Sequence, residues 1–281
     1  MKIVMFSKHL APLSIEEAAR AAGKLGFEGL DLTVRPGGHI EPEKALDELP
    51  KAVELVRGLG YDIPMITTAI TGASEPFCEE IFRAASTAAV RDIKLGYWRY
   101  RGFGQMREQL DEVKRALDGI AALAERYGVR ANLHIHSGDF ITADAAVVWH
   151  LLHGRDPEVI GAYIDPGHMA VEGGASGWKQ GMDLLTPWIN IVAVKDMAWY
   201  HEYDPELGKE RWYTKMVPLR HGLVPWPEVF QYLHHIGFDG TVSVHSEYQG
   251  PHSWRDLSLE ELLEQTRDDL EYLLSVIEAV R

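Results

Sequence analysis

The sequence predicts a single (β/α)₈ barrel spanning residues 1–281. Short apolar runs alternate with longer amphipathic segments from one end of the chain to the other. The length of 281 residues is close to the ~250 typical of a one-domain α/β barrel. No Gly-rich nucleotide loop follows the first apolar run, which counts against an open doubly wound sheet, the alternative arrangement of the same units.

Each unit has its own local reason. Ile3–Phe6 is a short apolar run and predicts the first strand. Ser14-Ile15-Glu16-Glu17 supplies an N-cap and an acidic first turn for a helix to Leu25. Gly29–Val34 and Pro64–Ile70 predict strands two and three, with helices over Leu49–Leu59 and Glu79–Ala89. Ile93–Tyr97 predicts a fourth strand. Gln105–Tyr127 follows as a long helix whose apolar positions Leu110, Val113, Leu117, Ile120, Ala121 and Ala124 recur at helical spacing. Ala131–His136, Gly161–Asp165, Asn190–Lys195 and Thr241–Glu247 predict the remaining strands. Helices are expected over Asp144–His153, around Met182–Leu185, over Trp226–Ile236 and over Leu259–Val280. Strand–helix repetition of this kind implies parallel pairing through right-handed crossovers. The stretch from Met197 to Trp226 reads as irregular, and in a barrel it is the loop after strand seven, at the active face.

Composition narrows the function. The chain is 46% hydrophobic and 25% charged, enough to bury a large core. Its formal charge of −14 argues against a nucleic-acid partner, because phosphate-backbone binding draws on a basic patch. Cys78 is the one cysteine, so no intrachain disulfide forms, and an inert thiol near a helix start is expected. No apolar stretch approaches the ~20 residues of a membrane span, and the first apolar run is too short for a signal sequence. The expected compartment is cytoplasmic, with no membrane partner.

Strand alternation then locates the chemistry. Side chains alternate with period two. If Val242 and Val244 face the helices, Ser243, His245 and Glu247 face the interior. By the same rule Asn132, His134 and His136 point inward from strand five, Tyr163 and Asp165 from strand six, Ala193 and Lys195 from strand seven, and Asp31 and Thr33 from strand two. Barrel interiors are normally layered with branched apolar residues, and buried charge is costly unless paired or coordinated. His134, His136, Asp165, His168 and Glu247 are N/O donors suited to a divalent cation such as Mn²⁺, Zn²⁺, Co²⁺ or Mg²⁺. Singly, an inward His is more often hydrogen-bonded structure and a strand-end Asp is often a helix cap. Their convergence at one end points to a site.

These residues sit in segments with a familiar look. Leu25-Gly26-Phe27-Glu28-Gly29-Leu30-Asp31-Leu32, His134-Ile135-His136-Ser137-Gly138, Asp165-Pro166-Gly167-His168, Val194-Lys195-Asp196 and Gly237-Phe238-Asp239-Gly240 leading to Ser246-Glu247 are its marks. On these the chain resembles the xylose-isomerase-like barrel superfamily of sugar-phosphate isomerases and epimerases. That group also holds ketose 3-epimerases, inosose dehydratase and an apurinic endonuclease. The resemblance implies Asp165 and Glu247 as metal ligands, His134 at a position that carries Glu or His in relatives, and His168 as a substrate contact or a further ligand. It also implies a strand-seven His ligand. That position is Ala193, which cannot ligate, while Lys195 reaches the same face as a cation. With His134 in place of a Glu, the paired-carboxylate shuttle of the ketose epimerases lacks one partner.

Around the mouth, Lys8 and His9 follow strand one and Arg35-Pro36-Gly37-Gly38-His39 follows strand two. Trp98-Arg99-Tyr100-Arg101 follows strand four, and Arg220-His221-Gly222 follows the long loop. His136, His168, Lys8, Arg99, Trp98 and His221 are the expected substrate contacts, since aromatics stack on sugar faces and Arg clamps carboxylates or phosphates. A solvated or purely structural role competes at each. Trp199-Tyr200-His201 and Trp212-Tyr213 serve as either a lid or a homo-oligomer interface.

The expected activity is an isomerase or epimerase acting on a small sugar or polyol by metal-assisted proton abstraction next to a carbonyl. Glu247, His134 and Lys195 are its candidate catalytic residues. Two alternatives stand beside it: a lyase of the inosose-dehydratase type on a keto-sugar or cyclic polyol, and a non-catalytic sugar-binding barrel, to which Ala193 gives its best support.

Overall fold

In the computed structural model, which describes residues 1–280, eight parallel strands close into a ring. They are β1 (Lys2–Phe6), β2 (Gly29–Thr33), β3 (Asp62–Thr67), β4 (Asp92–Lys94), β5 (Arg130–His134), β6 (Ile160–Ile164), β7 (Ile189–Val194) and β10 (Thr241–Val244). β10 pairs with both β7 and β1 and completes the barrel. Helices α1 (Ile15–Leu25), α2 (Ala45–Gly58), α3 (Cys78–Thr87), α4 (Met106–Tyr127), α5 (Ala145–Leu152), α6 (Pro166–Leu185) and α7 (Trp226–His235) lie between the strands in sequence, α8 (Leu259–Ala279) follows the last strand, and all pack outside them. The (β/α)₈ expectation is met.

Local chemistry sets the helix starts. Ser14 caps α1 in a reciprocal capping box with Glu17, and Ser258 does the same for α8 with Glu261. Asp144 caps α5, accepting from the Ala146 and Val147 N–H groups. Two helices are longer than the sequence suggests. α2 begins at Ala45 and carries Pro50, so it forgoes one backbone N–H donor. Burial of Ala45, Leu49, Ala52, Val53 and Val56 along one face holds it together. α6 begins at Pro166, directly after β6, and bends at Gly174, where φ is 62°.

The larger departure concerns residues 196–217. The stretch expected to be irregular forms an antiparallel hairpin, β8 (Asp196–Asp204) with β9 (Lys209–Val217), separate from the barrel ladder. Aromatic residues fall on both of its faces, Trp199, Tyr203 and Trp212 exposed on one and the paired Tyr200 and Tyr213 on the other, so the one-sided apolar alternation that marks a strand is missing. The turn is chemically explicit: the Asp204 carboxylate accepts from the Glu206 and Leu207 N–H groups, and Gly208 follows in the left-handed region.

The main core lies between strands and helices, and a second, small cluster of Met65, Tyr163, Ile191 and Ala193 fills the barrel. Polar groups occupy the rest of the interior. Asp31 is buried there and accepts from Thr67 Oγ1 at 2.7 Å and Ser243 Oγ at 2.9 Å. Cys78 is a free, buried thiol pushed up to about 12 by burial and the surrounding Glu75, Glu80 and Glu79. No described helix is long and apolar enough to cross a membrane.

Candidate active site

β6 ends at Ile164 and α6 starts two residues later, which fixes Asp165 at the junction. Its Oδ1 accepts from the His168 N–H at 3.0 Å, so Asp165 is the N-cap of α6. The cap and the site use different oxygens: Oδ2 lies 3.2 Å from His134 Nε2 and 3.3 Å from Lys195 Nζ. Gly167 allows this close packing, because a Cβ there would sit 2.7 Å from the Lys195 carbonyl oxygen.

β10 stops at Val244, three residues short of Glu247, because the chain turns there: Glu247 N–H donates to the His245 carbonyl, at 3.0 Å. The turn brings Glu247 Oε1 to 2.9 Å from Lys195 Nζ. Lys195 thus lies between Glu247 and Asp165, and its side chain is only 2% exposed. Burial opposes the charge on all three groups. Mutual attraction outweighs it, holding Asp165 below and Glu247 well below the ordinary carboxyl value, and Lys195 above the ordinary amine value. Lys8 approaches the other Glu247 oxygen at 3.5 Å.

Imidazoles surround this triad. Tyr97 OH meets His134 Nδ1 at 2.7 Å, and the His134 ring stacks on Tyr163. Ser137 Oγ meets His168 Nδ1 at 2.7 Å, and the His136 ring lies 3.9 Å from the His168 ring. Tyr163 OH reaches His245 Nε2 at 2.7 Å. Burial lowers all of these imidazoles: His136 to about 4, His245 below its ordinary value, His134 and His168 well below it. All are neutral at pH 7. His9, lowered to about 3, completes the set near Glu247.

The structure therefore brings together Asp165, Lys195, Glu247, His134, His136, His168 and Lys8. The other expected contacts have partners of their own. Trp98 is pinned by its indole N–H to the Thr71 carbonyl. Arg99 is exposed and lies over Phe140, itself 5.1 Å from the His136 ring. His221 is exposed in a 3₁₀ turn over Leu219–His221. Tyr97 and Lys94 are site residues that the sequence reading missed. Tyr97 lies beyond the short β4, where strand alternation no longer applies. Lys94 was legible as a charge inside an apolar strand. It is 2% exposed, its ammonium is 3.6 Å from the Tyr97 ring centroid, and burial depresses it well below the usual amine value. Beside the cluster opens a cavity of about 490 Å³ lined by Lys8, Ala11, Thr33, Arg35, Pro36, Gly37, Gly38, His39 and Ala69.

A parallel barrel with an acid–lysine–imidazole cluster at the C-terminal ends of its strands defines a TIM-barrel protein of the usual active-face layout. The chain belongs to the xylose isomerase-like TIM barrel family, which it matches over residues 1–276. Solved structures share the fold at low identity. D-Psicose 3-epimerase with D-tagatose, from Clostridium cellulolyticum H10, is 14% identical, with a TM-score of 0.72 over 99% of this chain and 99% of that one. The probable 3-DHS dehydratase AsbF of Bacillus anthracis is 19% identical, with a TM-score of 0.70 over 96% and 99%. A xylose isomerase-like TIM barrel protein from Mycobacterium smegmatis, in complex with magnesium, is 16% identical, with a TM-score of 0.69 over 100% and 98%. No curated protein sequence matches the chain at a significant level.

The family implies a divalent metal, and the residues present do not fit one. Asp165 Oδ2 and Glu247 Oε1, both expected to face the ion, are paired with the Lys195 ammonium. Ala193 has no donor to offer. Among the described residues, no three His, Cys, Asp or Glu side chains are placed to share an ion. The expected ligands Asp165, Glu247, His134 and His168 are gathered around an amine instead.

Proposed function

We propose that the chain is an isomerase or epimerase of a small ketose, keto-sugar or keto-polyol, acting by proton transfer next to a carbonyl. The observation that carries this reading is the 2.9 Å pairing of Glu247 with Lys195 at the barrel mouth. It sets a carboxylate base beside a fixed cation, next to a cavity within the size range of small-molecule sites. The family membership and the epimerase names of its structural neighbours support it.

In this reading the Glu247 carboxylate takes the proton from the carbon beside the carbonyl. The C–H electron pair moves into the carbonyl, and the enediolate oxygen gains the negative charge. Lys195 stabilises that oxygen. As the ammonium turns to the substrate, its hold on Glu247 weakens and the carboxylate becomes a better base. Proton return to the neighbouring carbon, with the hydroxyl proton passing to the other enediolate oxygen, gives an isomer. Return to the opposite face gives an epimer, with a solvent water on that face giving its proton to the carbon and the hydroxide left behind taking the proton held on Glu247. His134, clamped between Tyr97 and Asp165, positions Asp165 rather than touching substrate.

A second reading, elimination of the inosose-dehydratase type, draws on one observation. The Asp165 side chain is 0% exposed and that of Glu247 12%, so a single carboxylate meets the substrate. One base suits loss of a β-hydroxyl, the proton taken by Glu247 leaving with that hydroxyl as water.

Incubation with a panel of ketoses and keto-polyols in D₂O, followed by NMR and mass spectrometry, tests both. Deuterium entering an isomerised or epimerised product supports the first reading, and loss of water supports the second. A carbon-deuterated substrate that is isomerised or epimerised with neither loss of its label to solvent nor its transfer to the neighbouring carbon rules out the proton-transfer mechanism.

A further inference from the structure

We propose that Lys195 is a tethered cation standing where a divalent ion is held in metal-binding barrels, so that the native chain carries no resident metal and gains a metal site only when the Lys195 side chain is removed. The inference rests on the cluster itself and not on the reaction proposed above.

The first argument is charge. The Asp165 side chain is fully buried and that of Glu247 nearly so, and both carboxyls contact the same ammonium. Two close carboxylates away from water require a positive partner. The Lys195 ammonium fills that role with contacts of 2.9 and 3.3 Å, while Lys8 touches only the outer Glu247 oxygen. A divalent ion at the same oxygens has to displace the amine or accept a like charge in contact with it.

The second argument is steric. Lys195 and Ala193 share the inward face of the chain leaving β7. Ala193 packs in the small interior cluster with Met65, Tyr163 and Ile191, leaving the space above it to the Lys195 side chain. A donor is missing at one level and a cation arrives from the next.

The third argument is the state of the surrounding imidazoles. His168 Nε2 is buried without a hydrogen-bond partner, 3.7 Å from Asp165 Oδ2. His245 Nδ1 is likewise unpartnered, 3.6 Å from Glu247 Oε1. Each ring meets a hydroxyl, Ser137 or Tyr163, through its other nitrogen. A hydroxyl can accept as well as donate, so the unpartnered nitrogen is free to present a lone pair. Two unpartnered imidazole nitrogens thus lie 3.7 and 3.6 Å from the two carboxylates; no three of these donors are placed to share an ion while the ammonium holds the carboxylates, and its removal frees them to draw together.

The test is Mn²⁺ binding to the full chain after EDTA dialysis, followed by electron paramagnetic resonance of free Mn²⁺ and by thermal unfolding. Wild type is expected to take up no stoichiometric Mn²⁺ and to unfold at the same temperature with and without it. Lys195→Ala is expected to bind about one Mn²⁺ per chain and to be stabilised by it, with the binding lost in Lys195→Ala/Asp165→Asn. If Lys195→Ala folds only with added Mn²⁺, that dependence is itself the expected exchange of one cation for another. Uptake of one Mn²⁺ by wild type, abolished by Asp165→Asn, overturns the inference. So does a Lys195→Ala chain that folds but binds nothing, or one that stays unfolded with or without Mn²⁺. Turnover enters none of these readouts, so failure of the proposed reaction leaves the result unaffected.

Discussion

Asp165 caps the helix that carries His168: its Oδ1 takes the His168 N–H at 3.0 Å while Oδ2 faces Lys195 at 3.3 Å. One carboxylate therefore ties the start of α6 to the charge cluster.

Substitutions at Asp165 separate the two roles. Asp165→Asn keeps an oxygen for the cap and loses the charge, whereas Asp165→Ala loses both. Loss of one partner of a buried ion pair costs about 3–5 kcal/mol, and loss of a cap about 1 kcal/mol more. Urea unfolding is expected to rank wild type above Asp165→Asn above Asp165→Ala. Equal stability of the two variants shows that the cap contributes nothing.

Acid lability follows from the buried imidazoles. His9 and His136 are lowered to about 3 and about 4, chiefly by burial, and His134 and His168 lie well below the ordinary 6.5. Between those values the unfolded chain binds more protons than the folded one, so stability rises with pH. The contribution is complete above about 6.5 and drains away as pH falls toward 4 and 3. Each imidazole adds a slope of up to ~1.4 kcal/mol per pH unit in that window. Asp196 and Asp269, raised by burial to about 7 and about 6, act in the opposite sense over the upper part of this window. Denaturant titrations at pH 6, 5 and 4 are expected to show a net fall in stability that is reduced when His136 is replaced by Asn, and an unchanged profile in that variant refutes the neutral assignment.

At the hairpin root, the buried Asp196 carboxylate accepts from the Met197, Leu223 and Val224 N–H groups and from Trp226 Nε1. Gly222 packs against it so tightly that a Cβ would lie 1.9 Å from Asp196 Cγ. Asp196→Ala leaves those donors without their carboxylate at a cost of ~1–3 kcal/mol for each that water cannot reach. The expected result is a loss of several kcal/mol with faster proteolysis within residues 198–215. Gly222→Ala is expected to reproduce it by displacing the carboxylate. Unchanged proteolysis in both variants shows that the hairpin is anchored elsewhere.

The barrel was legible because period-two alternation and capping signals are local. The Ser14 cap acts over three residues, and β-strand faces need only neighbouring positions. The same alternation carried His134, Asp165, Lys195 and Glu247 to one end. It failed where the strands stop. Tyr97 lies beyond the three-residue β4, and Glu247 reaches Lys195 through a turn after β10, not by continuing the strand. The β8–β9 hairpin escaped notice because its stability comes from backbone pairing and the clamp at Asp196, neither of which leaves an apolar pattern. Trp98, Arg99 and His221 have suitable chemistry for sugar contact, yet their orientation depends on long-range partners such as Thr71 and Phe140.

Glu247 is the residue on which the proposed chemistry turns. Its carboxylate is held well below the ordinary value, with burial opposed by Lys195, His245 and Lys8, so it is ionised throughout the neutral range. The competing role is purely structural, a counter-ion for a buried lysine. Glu247→Gln separates the two. The amide keeps the size and can accept from Lys195 through its oxygen, but it cannot take a proton. A structural role predicts a destabilised chain with near-normal turnover in the fraction that folds. A catalytic role predicts a folded chain that loses ~10²-fold or more in kcat, the size of a typical general-base contribution. Solvent deuterium exchange at the substrate carbon is expected to fall in parallel. Lys195 stays paired with Asp165 in the variant, so circular dichroism is expected to be unchanged. If exchange continues at the wild-type rate in a folded Glu247→Gln protein, the base lies elsewhere, and His136 is then the next side chain to test.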